Sequence, residues 1–150
     1  MSLYDVCKAE CERQMDYRPE AVEGLERAVR AMGVHPFDIS EMDIQYLAGL
    51  VNWNKPVYMA YRTVPAYFAN GNHAIPAWNV PNAMARLIEG LNAYKGANSR
   101  WESYVNFLVK EFLDIHPFAD GNGRVAFVLY NWLNGTLDNP VTLPYYYGDN

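Results

Sequence analysis

Long hydrophobic runs, clustered positive charge, internal repeats and low-complexity tracts are all missing from this chain, and each absence removes a class of function. No segment approaches the ~20 apolar residues of a membrane-spanning helix. The start, MSLYDVCKAECERQMDY, carries too many charges for a secretory signal peptide. The 12 Lys and Arg residues are scattered and are outnumbered by 17 Asp and Glu, which gives a net charge of −5. Nucleic acids and anionic membranes are held mainly through grouped cations, so neither is an expected partner. A soluble protein of the cytoplasm is expected, or one exported as an effector without a cleavable leader.

Cysteine is scarce as well. Cys7 and Cys11 stand four apart in an expected helix, which stacks them on one face. Two thiols cannot complete a four-ligand zinc site, and a helical pair at this spacing has poor disulfide geometry. Free, partly buried thiols are expected.

What the chain does have is apolar mass. With 51% hydrophobic residues it is too apolar for a disordered tail, and at 150 residues it can bury roughly 68–70% of its unfolded surface around one core. The expected organisation is one domain over 1–150, in which two N-terminal helices, broken near DYRP, occupy 1–39. The second runs from Pro19 to Met32, with Pro19 suited to a first turn and Gly33 to a stop.

A third helix is expected after Ser40, which can cap the amides of EMD and leads Ile44, Leu47, Ala48 and Leu50 onto one face. From Lys55 to Ala77 aromatic and β-branched residues surround an Asn70-Gly71 turn, while Pro65 and Pro76 would spoil a central strand. This predicts a small edge-like hairpin with backbone groups open to a visiting peptide. Helix signals resume at Asn79, read as a cap, and at Ser99 to Glu102, read as a capping box. Beyond that box Trp101, Tyr104, Val105, Leu108, Val109, Phe112 and Leu113 recur at three and four, which buries one face of a helix ending near Ile115. The helix from about Gly123 to Asn134 is apolar nearly all round and must be central.

Between those last two helices lies DIHPFADGNGR, far richer in chemistry than a connection needs. Asn122 reads as an N-cap, and Gly121 and Gly123 keep side chains away from first-turn amides that can bind an anion with the helix dipole behind them. Arg124 adds a cation to this cradle. Asp120 is placed to hold Mg²⁺, which usually takes one or two carboxylates plus substrate phosphates. His116 is the nearby group that can take a proton near neutral pH. Together they point to phosphoryl or nucleotidyl transfer, although DG and NG are also ordinary turn dipeptides.

HPFADGNGR, His116 to Arg124, resembles the signature of the Fic family, HPFx[D/E]GN[G/K]R, at every specified position. VYMAYRTVPAYF, with Arg62, is similar to the segment that enters the family's flap, and AIPAWNVPNAMARLIEGLN to the one that leaves it. The resemblance covers roughly 40–144. It implies a mainly α, Fic-type helical bundle with a small β-hairpin flap, and transfer of AMP from ATP, with Mg²⁺, to a Tyr, Thr or Ser hydroxyl of a target protein. In that scheme His116 is the general base, Phe118 anchors the loop, and Asp120 ligates the metal. Asn122 with the Gly121 and Gly123 amides holds the α- and β-phosphates, and Arg124 grips the β-phosphate. Thr63, Val64, Ala66, Tyr67 and Phe68 would dock the target.

Two positions depart from the pattern. Many AMP-transferring members carry a second arginine three residues after the first, and here that residue is Phe127. Relatives that phosphorylate or transfer phosphocholine also lack it, while the phosphorylating Doc type usually carries lysine where this chain has Gly123. The nearest match to the family's inhibitory pattern [S/T]xxxE[G/N] is PEAVEG, with Pro19 in place of Ser or Thr. Glu23 therefore reads as a residue on a solvated helix face, and any inhibition is expected from a separate, antitoxin-like protein. A non-catalytic, nucleotide-binding use of the same scaffold is the alternative from another class.

Overall fold

The computed structural model describes residues 1–34, 38–97 and 101–144. Within them the chain is mainly helical, as expected: α1 (Leu3–Arg13), α2 (Pro19–Gly33), α3 (Glu41–Val51), α4 (Val80–Gly96), α5 (Glu102–Ile115) and α6 (Asn122–Asn134). Short 3-10 turns occupy Pro56–Tyr58 and Ala77–Asn79. No described helix is long and apolar enough to cross a membrane.

Local chemistry sets most helix starts. Ser2 and Asp5 form a reciprocal capping box on α1, and Ser40 and Asp43 form another on α3. Pro19 opens α2, where its missing N–H would have had no partner in any case. The cap expected of Asn79 is not made. Its backbone (φ −93°, ψ −6°) runs from the preceding 3-10 turn straight into α4, so the side chain never swings back over the amides. The expected Ser99 box lies outside the described residues. Trp101, expected in the buried stripe of α5, precedes the helix instead and is 65% exposed, stacked on Tyr104 at 6.2 Å.

The core is centred on α6, which packs against α2, α3, α4 and α5. From Asn122 to Leu133 every residue of α6 except Gly123 is buried. Phe127, at the position where the resemblance leads one to look for a second arginine, is fully buried among the other core side chains. Cys7 and Cys11 are completely buried and free, and burial pushes both thiols up to about 12, so they behave as small apolar side chains.

Helix α2 approaches α3 closely at Gly24, where an added Cβ would fall 2.4 Å from the Leu50 carbonyl oxygen. Backbone cannot move aside as a side-chain tip can. Gly24→Ala is expected to lower stability by about 1–3 kcal/mol in a urea titration, and an unchanged midpoint would contradict this contact. The PEAVEG stretch is thus explained by packing at its glycine. Glu23 stands on the solvated face, 4.0 Å from Arg27 one turn along.

The expected β-hairpin flap is not formed as strands. Its place is taken by an extended arm, residues 61–76, with a single antiparallel bridge between Tyr67 and His73. Phe68 N–H donates to Asn72 O (2.8 Å) and Ala74 N–H to Ala66 O (2.9 Å), with Gly71 at φ 87° making the turn. The prolines at either end interrupt the ladder before it can lengthen.

Candidate functional site at the start of the central helix

Helix α5 ends abruptly because His116 adopts the left-handed conformation (φ 52°, ψ 59°), its N–H closing onto Phe112 O at 3.1 Å. The chain reverses through Pro117 and Phe118, whose ring is wholly buried near Tyr61 (5.7 Å) and Phe112 (6.4 Å). Phe118 thereby plants the loop in the core.

A second fastening comes from Arg62, which is only 5% exposed. Its guanidinium donates to the carbonyls of His116 (2.6 Å), Val64 (3.0 Å), Ile75 (2.6 Å) and Ile115 (3.1 Å), and its N–H to Pro117 O (2.8 Å). One side chain so ties both ends of the arm to the loop that carries the histidine. Burial lowers the pKa of Arg62 from its ordinary value, but a guanidinium stays charged at any physiological pH.

The His116 imidazole meets the edge of Phe68 at 5.8 Å, and its Nδ1 is buried without a hydrogen bond of proper geometry. Burial, with help from the Arg62 cation, holds its pKa below the ordinary 6.5, and the nearby Leu113 carbonyl opposes this only in part. The neutral form of the ring therefore predominates at pH 7. For any reaction in which His116 accepts a proton, the midpoint of the acid limb of kcat/KM is expected below the ordinary histidine value of 6.5. A midpoint above that value would contradict a base in this environment.

At the start of α6 the cap is Gly121 (φ 84°), not Asn122. Glycine takes the left-handed turn without a Cβ penalty, and Asn122 becomes the first helical residue. Its buried side chain reaches back, accepting from Phe118 N–H (3.0 Å) and donating to Phe118 O (2.8 Å). This braces the loop. A Cβ at Gly121 would lie 2.8 Å from Asn52 Nδ2 and 2.9 Å from Val51 Cγ2, so only glycine fits between α3 and α6 here.

Asp120, half exposed, accepts from the Gly121 N–H at 2.8 Å, and its other oxygen lies 3.6 Å from Arg18. Arg124 is 3% exposed; it donates to Val51 O and approaches Asn52 Oδ1 (3.3 Å), Asp120 Oδ1 (3.4 Å) and Asp16 Oδ2 (3.8 Å). Its fork pins α3 to the loop. No group of three or more His, Cys, Asp or Glu that could hold a metal occurs among the described residues. A divalent cation here would rest on Asp120 with substrate oxygens, and one half-exposed carboxylate fits the way Mg²⁺ binds phosphate chains.

His116, Asp120, Gly121, Asn122, Gly123 and Arg124 thus lie along one turn-and-helix unit, with Phe68 of the arm against the histidine. Thr63, Val64 and Tyr67 are exposed on that arm and Ala66 is half-buried, with Tyr67 facing His73 at 4.5 Å. Asp114 is a solvated carboxylate paired to Lys110 at 2.8 Å.

Sequence reasoning missed three contributors. Arg62 was visible only as a residue before the arm. Asn52, fully buried, donates to Asp120 O at 3.1 Å. The connection between α1 and α2 also reaches the site, with Gln14 donating to Gly123 O at 3.2 Å. Contacts across such separations leave no local pattern to read.

The profile of the Fic/DOC family matches residues 38–134. The chain belongs to that family. Its structure is similar to that of a Fic domain containing signaling protein from Bacteroides thetaiotaomicron (TM-score 0.67, 20% identity), covering 85% of this chain and 52% of that one. It also resembles two structures of Fic-1 from C. elegans (TM-scores 0.63 and 0.62, 23% identity in each), covering 85% of this chain and 40% and 39% of theirs. This Fic chain thus spans about half or less of the solved relatives' length, and at these identities the likeness is one of fold. No curated protein matches it.

Proposed function

We propose that this Fic protein is an adenylyltransferase, moving AMP from ATP to a Tyr, Thr or Ser hydroxyl of a target protein, with residues 1–150 acting as one unit. The observation that carries this reading is geometric: the His116 imidazole packs against Phe68, its backbone is fastened by Arg62, and the loop, planted by Phe118, runs directly into the glycine-flanked start of α6.

The nucleotide would lie with its phosphates against the N-terminus of α6, where amides 122–124 and the helix dipole favour negative charge. His116 would accept the target's hydroxyl proton through Nε2, since Nδ1 is buried. The hydroxyl oxygen then bonds to the α-phosphorus as the bond to the pyrophosphate oxygen breaks. Asp120 would hold Mg²⁺, which supplies charge neutralisation to the phosphate oxygens. The exposed arm, Thr63 to Phe68, would align the target segment and position its hydroxyl. Inhibition would come from a separate protein, given that Glu23 faces solvent.

Incubation with ATP labelled at the α- or the γ-phosphate, Mg²⁺ and candidate target proteins tests the proposal. Label on protein from the α-position alone is the expected result. Label from the γ-position would establish a kinase instead, a reading favoured by the absence of a second arginine at buried Phe127. Intact mass after incubation with other donors would reveal phosphocholine or other nucleotide transfer, and tight binding without transfer would mark a non-catalytic module.

A further inference from the structure

Beside Asp120 stands a cation that belongs neither to the loop signature nor to the family-matched segment. Arg18 precedes α2, its backbone set by Pro19 immediately after it. Its guanidinium is clamped from one side by Asp16, with Nε to Oδ1 at 2.9 Å and Nη2 to Oδ2 at 2.6 Å, and lies over the Trp53 ring at 4.5 Å. The same Nη2 reaches Asp120 Oδ2 at 3.6 Å. The side chain nevertheless remains 46% exposed, and Nη1 has no hydrogen-bond partner among the described residues. A planar donor is therefore held in place with part of its fork still facing solvent at the edge of the phosphate cradle.

The other guanidinium of the site is in the opposite condition. Arg124 is buried, and its hydrogen bonds hold Val51 and Asn52, at the end of α3, against the loop. Turning it onto a ligand would leave buried polar groups unpaired, whereas the Arg18–Asp120 contact joins two half-exposed groups and is readily exchanged. Phe127 supplies no charge from the next turn of α6.

We propose that Arg18 binds the phosphate chain of the nucleotide beyond the α-phosphate, exchanging its contact with Asp120 for phosphate oxygens from the α1–α2 connection while Arg124 acts as a positioning residue. This rests on the nucleotide reading above. Bidentate, charge-assisted bonds from an arginine held by Asp16 and Trp53 suit a di- or triphosphate, and they offer nothing to a monophosphate held at the helix start.

Calorimetric binding of AMP, ADP and ATP with Mg²⁺ to the full chain tests this. Arg18→Ala is expected to weaken ATP and ADP by about tenfold or more and to leave AMP within about twofold. Arg18→Lys should recover only part of the loss, because an ammonium cannot reproduce the fork. Equal weakening of all three nucleotides would show a structural role and overturn the proposal. Unchanged or tighter ATP binding would also overturn it, the latter by showing that Arg18 blocks the cradle. Failure of the unsubstituted protein to bind any nucleotide would overturn the nucleotide reading itself, and this is distinguishable because it precedes any substitution.

Discussion

Replacing Arg62 by methionine is expected to lower the free energy of unfolding by about 4 kcal/mol or more, enough to bring a domain of ordinary stability close to unfolding. Methionine keeps most of the buried length but none of the donors. The carbonyls of Ile115, His116, Ile75 and Val64 would then lose their donor at once, that of Ile115 in a buried position and the others in partly buried ones. Hydrogen bonds from a charged donor contribute about 1.5–3 kcal/mol each, and the four do not add independently, so the total stays below their sum. Arg62→Lys is expected to recover less than half, because one ammonium cannot span four acceptors in different directions. Urea denaturation measures both. A loss under about 1 kcal/mol for the methionine variant would mean that the arm and the loop are held by something other than this side chain.

The same residue shows what could and could not be read from the sequence. HPFADGNGR is contiguous, so its chemistry could be recognised as a string. The helices around it could be placed from their caps and periodicity, with Ser40 and Pro19 serving as expected. What organises the string comes from far along the chain. Arg62 is 54 residues from His116, Asn52 is 68 from Asp120, and Gln14 is 109 from Gly123. None of these three carries a local signal of its purpose.

Errors of detail have the same origin. Asn122 has the composition of a cap, but once Gly121 takes the left-handed turn its amide is worth more inside, closing on Phe118. Asn70-Gly71 does make its turn, yet flanking prolines limit the arm to one bridge. Phe127 read as a missing cation, and the structure supplies the positive reason for it: that face of α6 is packed into the core. An arginine there would be buried without a partner, so the second cation has to be sought from another element, which is where Arg18 stands.

For the chemistry itself, the decisive substitution is His116→Asn rather than His116→Ala. The residue sits at φ 52°, where asparagine is tolerated and alanine adds about 1 kcal/mol of backbone strain. Alanine would therefore mix a lost base with a disturbed loop. Asparagine keeps the turn and the contact surface toward Phe68 but cannot accept a proton near neutral pH. Transfer is expected to fall by about 10²–10⁴-fold in kcat, the usual contribution of a positioned general base, with the melting temperature and ATP affinity nearly unchanged. A loss of affinity matching the loss of rate would place His116 in binding the nucleotide, and undiminished transfer would mean that the hydroxyl proton leaves by another route.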